Sequence, residues 1–300
     1  RHRMQPFAKY HGLGNDFVII DCRATQPPLT PALARWICDR HRGVGADGVL
    51  TVWPPRQESA FARMRVHNAD GSESAMCGNG LRCVAQFLWD SQAQQSVPAT
   101  LVVEAGERLY PVTRRGPQRC HVQMGPPAFA HPELPEAADP NDGRCTLSVA
   151  PGSSRQVEGH AVHFGNPHFV VFSGSAESAS LDATAQQIGP QLESHVAFPQ
   201  RTNVELVWDA GEVLHTVVYE RGVGVTQACG SGACAVGVAA VARGLRPTAT
   251  PIRVQLPGGL LIVDVDTSKN VGMEGEATKV FTGSLPMPSL RDPAFAGGAS

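Results

Sequence analysis

Short apolar, β-branched runs broken by glycine and proline recur along this chain: "DFVIID", "GVLTV", "ATLVVEA", "HFVVF", "NVELVW", "LHTVVYE", "IRVQL" and "LLIVDV". Runs of this length, bounded by turn residues, predict strands. Helical spacing is rarer. "TPALARWICDRHR" (Thr30 to Arg42) offers a threonine cap, Pro31 in the first turn, and Leu33, Trp36 and Ile37 on one side. "GLRCVAQFLWD" places Leu81, Val84, Ala85 and Leu88 at helical intervals. "GACAVGVAAVARG" is small and apolar nearly all round, which predicts a helix buried on every side. The Pro-, Gly-, Ala- and Ser-rich stretch from Gly125 to Ser154 reads as a crossing between halves, with a short strand at "RCTLSVA". The segment 286–300 reads as a loose tail.

The pattern repeats. "GLGNDFVIID" resembles "HFGNPHFVVF", and each half later reaches a cysteine before a glycine-rich turn, Cys77-Gly-Asn-Gly and Cys229-Gly-Ser-Gly. Asn15 lies 62 positions before Cys77, and Asn166 lies 63 before Cys229. Two unrelated motifs in the same order at nearly the same separation imply an internal duplication. The expected fold is therefore two pseudo-symmetric α/β halves.

Each half supplies one cysteine just ahead of a helix. Exposed amides and the positive helix end favour thiolate, so both thiols read as tuned downward. Two halves related by a pseudo-two-fold axis would aim both at one point. A carbon acid between them can lose a proton to one thiolate and gain one from the opposite thiol, which inverts a stereocentre. The glycine-flanked amides can stabilise charge on a carboxylate beside that carbon. A lone cysteine is more often a small buried hydrophobe; the matched settings of Cys77 and Cys229 favour chemistry. Cys83 and Cys234 fall within helical patterns and read as structural. Cys22, Cys38, Cys120 and Cys145 carry no such context.

Composition narrows the class. The chain has 300 residues, a formal net charge of -2 and eight cysteines. That balance gives no reason to expect nucleic acid or a membrane surface. No apolar run approaches the roughly 20 residues of a membrane span, and no signal peptide is apparent near the N-terminus. Eight cysteines in a chain this long are not a disulfide scaffold. The closest pairs, Cys77–Cys83 and Cys229–Cys234, do not follow zinc spacing, so no metal is expected. The cytoplasm is the expected compartment.

With these residues in view, the chain resembles the diaminopimelate epimerases, from about Phe7 to about Gly283. The blocks are "KYHGLGNDFVIID", "RHRGVGADGVL", "HNADGSESAMCGNGLRC", "GNPHFVVF", "RTNVELV" and "YERGVGVTQACGSGACA". The resemblance implies an α/β (α+β) fold of two lobes, each a mostly antiparallel sheet wrapped round a central helix, with the site in the interlobe cleft. It places the N-terminal lobe at 1–126, joined by a returning strand near 277–285, and the C-terminal lobe at 127–276. It implies a cofactor-independent epimerase of lysine and peptidoglycan-precursor synthesis, acting on the small molecule diaminopimelate as a homodimer. By matched position, Cys77 and Cys229 are the two acid-bases. Gly78, Asn79, Gly230 and Ser231 form the turns at the reacting end. Asn15, Asn68, Asn166 and Asn203 hydrogen-bond the substrate, Glu220 and Arg221 read its far end, and His168 and Glu220 tune the thiols. A substrate with an amino-acid group at each end needs such a mixture of charges and amides.

Three positions depart from that pattern. Gly48 stands where a glutamine side chain can occur, Val225 where an acidic residue is frequent, and Phe281 where a tyrosine can support the dimer contact. The competing reading within the same fold is a racemase or isomerase of the proline or hydroxyproline type. Glu220 and Arg221 with the four asparagines speak for a substrate with a second charged end. A thiol-rich redox or zinc-binding protein would instead carry a metal or a functional disulfide.

Overall fold

Every short apolar run noted in the sequence forms a strand in the computed structural model, which describes residues 3–24, 29–91, 97–174 and 178–287. The fold is mixed α/β and mostly sheet, with eighteen strands and four helices among the described residues. The chain divides into two compact units, Arg1–Val122 with Gly275–Ser300, and Gln123–Glu274. Of the expected loose tail, Pro286 and Met287 belong to a strand, and the remainder lies outside the described residues.

Unit 1 begins with β1 (Arg3–Gly12), β2 (Asn15–Asp21), α1 (Pro31–Cys38) and β3 (Gly48–Trp53). It continues through β4 (Ala62–Asn68), β5 (Glu73–Ser74), α2 (Gly78–Ser91), β6 (Thr100–Ala105), β7 (Arg108–Gly116) and β8 (Arg119–Gly125). Unit 2 holds β9 (Arg144–Ser148), β10 (Gln156–His163), β11 (Pro167–Phe172), α3 (Ser178–Glu193) and β12 (Asn203–Asp209). Then come β13 (Val213–Glu220), β14 (Gly224–Thr226), α4 (Gly230–Ala242), β15 (Ile252–Leu256), β16 (Gly259–Val265) and β17 (Val271–Glu276). The last strand, β18 (Thr278–Met287), belongs to unit 1. The chain passes between units within β8 and within β17.

The duplication holds pairing by pairing. In unit 1, β1 runs antiparallel to β2, β2 parallel to β3, β3 antiparallel to β4, and β4 antiparallel to β5 and parallel to β6. In unit 2, β10 to β15 repeat each of these relations in order. The outer partner differs in origin. β1 takes β18 from the end of the chain, whereas β10 takes β9, which directly precedes it.

Each unit packs helices on both faces of its central strands, which is why those strands are apolar throughout instead of alternating. Val18, Ile20 and Val49 share a core with Leu33, Ala34 and Ile37 of α1. On the other face α2 packs against β2 and β3. In unit 2, Phe169, Val171, Val204 and Leu206 meet Leu181, Ala185, Ile188 and Leu192 of α3, while α4 packs against β11 and β12. As the sequence suggests, α4 is buried from Gly230 to Ala240. Thr30 caps α1 by accepting from Leu33 N.

Helix α3 escapes the sequence pattern because Gly189 and Pro190 interrupt it. The glycine is required there, since a β-carbon on Gly189 would lie 2.7 Å from the Tyr219 ring. Strands β4, β7 and β8 were also missed. Each alternates buried residues with arginine, threonine or histidine, and none forms a continuous apolar run.

Candidate active site

The two cysteines open their helices in the same way. Gly80 N donates to Cys77 Sγ at 3.4 Å, and Leu81 N donates to Cys77 O. Gly232 N donates to Cys229 Sγ at 3.4 Å, and Ala233 N donates to Cys229 O. Gly78 and Asn79, like Gly230 and Ser231, fill the first two helical positions, whose N–H groups find no acceptor within a helix. The Ser231 hydroxyl lies 3.6 Å from Cys229 Sγ.

The surroundings of the thiols differ. Cys77 is half-buried and Cys229 is buried. Burial holds the Cys229 thiol well above the ordinary thiol range, and Glu220 and Glu205 push the same way. The Gly232 amide and the Ser231 hydroxyl oppose this but do not overcome it. The expected tuning of Cys229 toward thiolate is therefore reversed, because the helix end is buried and faces carboxyl groups.

In unit 1 the expected amides form a directed chain of hydrogen bonds. Arg82, fully buried on α2, donates to Asn79 Oδ1 at 2.7 Å; Asn79 Nδ2 donates to Asn15 Oδ1 at 3.0 Å; and Asn15 Nδ2 donates to Asp47 Oδ2 at 2.9 Å. The chain runs from a buried cation to an anion, which fixes the orientation of both amides. Asp47 also takes Arg40, which bridges to Asp16, and Lys9 Nζ reaches Asp16 and the Gly45 carbonyl. Burial pushes the Asp16 carboxyl up, but hydrogen bonds from Arg40 and Lys9 outweigh it and leave the group well below the usual carboxylate range. Asn68 gives Nδ2 to the hydroxyls of Ser72 and Ser74, so its remaining capacity is that of an acceptor through Oδ1.

In unit 2, His168 Nε2 meets Asn166 Oδ1 at 2.9 Å and His168 Nδ1 meets Glu205 Oε1 at 2.7 Å. Asn203 gives Nδ2 to Pro167 O and accepts the Arg221 N–H through Oδ1. The Arg221 guanidinium donates to Gln200 O and lies 3.9 Å from Glu133. Glu220 accepts from the Thr226 hydroxyl at 2.7 Å.

Register matches the two sets position by position. Gly48 pairs with Asn68 on β3 and β4, and Asn203 sits one step from the Val204–Tyr219 pair, directly across from Glu220. Asn68 and Glu220 are thus equivalent acceptors, each hydroxyl-bonded from the following short strand. Sequence reasoning missed Arg82, Asp47 and Glu205. Arg82 and Glu205 could have been flagged, since each is a charged residue inside an otherwise apolar run.

At Gly48, a β-carbon would lie 2.8 Å from His67 O, so the local backbone leaves no room for a side chain. Val225 is exposed. Phe281 is exposed on β18 and stacks edge-on against Phe7 at 5.9 Å. Among the described residues His131, Glu133 and His163 bring potential metal-ligand atoms within 4.8 Å of one another. Their chemistry does not suit a cation. Nδ1 of His131 accepts the Glu133 N–H and Nδ1 of His163 accepts the Gly165 N–H. That leaves the ring proton on Nε2, whereas a ligating imidazole donates from its other nitrogen.

Packing beside the thiols predicts unequal sensitivity to added bulk. A β-carbon on Gly80 would meet Leu50 at 3.2 Å, a contact that side-chain adjustment can relieve. On Gly232 it would lie 2.7 Å from Glu205 Oε1 and 3.2 Å from Cys229 Sγ. Gly232→Ala is expected to lower kcat/KM about 100-fold, as misplacement near a reacting group does, and Gly80→Ala only several-fold. Steady-state assays with thermal melts of both variants check this; equal losses would contradict it.

The model of the family described as diaminopimelate epimerase matches residues 7–130 and 160–280. The chain is 42% identical over 280 residues to the diaminopimelate epimerase of Rhodospirillum centenum, covering 93% of this chain and 91% of the relative. It is 40% identical over 296 residues to that of Microcystis aeruginosa, covering 94% and 99%. Among solved structures, a probable proline racemase from Agrobacterium radiobacter superposes with a TM-score of 0.72 at 15% identity, covering 99% of this chain and 96% of that one. A hydroxyproline epimerase from Agrobacterium vitis gives 0.67 at 15% identity, with the same coverage. Those two likenesses concern the fold alone.

Proposed function

The chain belongs to the diaminopimelate epimerase family of isomerases, and from that premise we propose that it interconverts LL- and meso-2,6-diaminopimelate by two-base proton transfer between Cys77 and Cys229. The observation that carries the reading is the duplicated helix start, which gives each unit one thiol in the same backbone setting.

One thiolate takes the α-proton as the Cα–H bond breaks, and the other thiol delivers its proton to the opposite face. The substrate regains what it lost, and the two sulfurs exchange protonation states. The high acid range of Cys229 suits it to hold the proton at rest, with Cys77 as the base for the first transfer. Amides of Gly78, Asn79, Gly230 and Ser231 stabilise charge on the carboxylate beside the carbanion. Asn68 and Glu220 accept from ammonium groups, Arg221 pairs with the distal carboxylate, and Asn15, Asn166 and Asn203 complete the contacts.

The scheme needs no cofactor, and the lysines suit no Schiff base. Of the three, Lys9 is bound to Asp16 and Lys269 lies over the Phe129 ring and bonds Asn141 O, while Lys279 sits on β18. No described helix is long and apolar enough to cross a membrane, and none of the eight cysteines is in a disulfide. We place the enzyme in the cytoplasm, in lysine and peptidoglycan-precursor synthesis, as a homodimer with Phe281 at the contact.

The test is incubation of reduced protein with LL-diaminopimelate in deuterated water, following α-deuterium and the meso isomer together. Both are expected. Neither appearing, with turnover of proline or hydroxyproline instead, would replace this substrate with a cyclic one.

A further inference from the structure

Internal duplication supplies a control for what the fold itself requires. Phe17 pairs with Gly48 and Ile19 with Leu50 on β2 and β3; His168 pairs with Asn203 and Val170 with Glu205 on β11 and β12. His168 and Glu205 therefore stand where unit 1 has Phe17 and Leu50, both buried. The glycine of each helix start confirms the match, since Gly80 lies against Leu50 and Gly232 against Glu205. Two apolar side chains satisfy the packing in unit 1. Unit 2 instead buries two ionisable side chains with no exposure at all, a choice that works against stability unless they are mutually satisfied.

Hydrogen-bond accounting fixes their protons. Glu205 Oε2 is buried and has no hydrogen-bond partner. Ionised, that oxygen would be an unpaired buried charge; protonated, it is only an under-satisfied carbonyl, which interiors tolerate. The neutral carboxyl donates from Oε1 to His168 Nδ1 across 2.7 Å. His168 then carries its proton on Nε2 and donates it to Asn166 Oδ1 at 2.9 Å. With Oδ1 so engaged, Asn166 offers a ligand chiefly its Nδ2 hydrogens.

We propose that Glu205 is a positioning residue of the Cys229 half-site, acting through His168 to present the Asn166 amide as a hydrogen-bond donor to an anionic oxygen of the substrate. This rests on the reading above for its substrate and deepens it by assigning Asn166 to a carboxylate, not an ammonium. With Glu205 neutral, the upward push on the Cys229 thiol is left to burial and Glu220.

Three variants and one spectrum test it. Glu205→Met removes the donor while keeping the volume, and is expected to raise KM for diaminopimelate about tenfold or more with a smaller change in kcat. Glu205→Gln keeps an N–H donor toward Nδ1 and is expected to stay within about threefold of the unmodified enzyme. The double variant His168→Phe with Glu205→Leu, which copies unit 1, is expected to fold with an unchanged melting temperature and to show the raised KM. In the unmodified protein, ring-nitrogen NMR of ¹⁵N-histidine at pH 7 is expected to show His168 neutral with its proton on Nε2. An unaltered KM in the Met or double variant, or a bare Nε2, overturns the proposal. If diaminopimelate is no substrate, the functional reading fails by itself, and the spectrum still decides the state of His168.

Discussion

Cys77→Ala and Cys229→Ala are each expected to abolish epimerisation, with losses of about 10⁴-fold or more, the upper range for removing a general acid or base. Neither change should unfold the chain. The helix-start hydrogen bonds from Leu81 N and Ala233 N go to the cysteine carbonyls, which alanine retains. Only the long contacts from Gly80 N and Gly232 N to sulfur are lost. Far-ultraviolet spectra and melting curves should therefore match those of the unmodified protein. The roles differ, so the residual reactions should differ. With the thiol that takes the proton still present, exchange of the α-hydrogen with solvent can continue without inversion. Measuring deuterium at Cα separately from isomer formation checks this. Full activity in either variant would remove the two-thiol scheme.

Arg82→Met is expected to be the most damaging change outside the cysteines. Arg82 is fully buried, and its hydrogen bonds run to Asn79 Oδ1 and, at 3.3 Å, to Glu276 O. Methionine fills the space but leaves buried acceptors without donors, at roughly 1–3 kcal/mol for each. The expected loss of stability is about 2–4 kcal/mol. Function should suffer separately. Without the cation at its head, nothing fixes the directions of the Asn79 and Asn15 amides, and kcat/KM should fall about 10- to 100-fold. Lysine should not rescue it, because one ammonium cannot reproduce the guanidinium fork. Thermal unfolding and steady-state kinetics of Arg82→Met and Arg82→Lys check this; a stable, fully active Met variant would show the relay to be incidental.

Much of this architecture was legible in the chain. The apolar runs located the inner strands because two-sided burial leaves them uninterrupted, and the spacing from Gly-Asn to Cys revealed the duplication. What stayed hidden was set by contacts distant in sequence. Helix α3 looks broken at Gly189 and Pro190 until the Tyr219 ring is seen against the glycine. The lowering expected for Cys229 followed from its helix end alone; burial and the carboxyl groups of β12 and β13 reverse it. Glu205 was visible as a charge in "NVELVW", but its partner on β11 lies 37 positions away.

The origin of the outer strands gives the two units different histories during synthesis. Unit 2 carries β9 to β16 in one uninterrupted stretch, so its sheet can close while the chain is still being made. Unit 1 begins first on the ribosome yet ends last. The edge of β1 that β18 covers must wait until residues 278–287 have been translated.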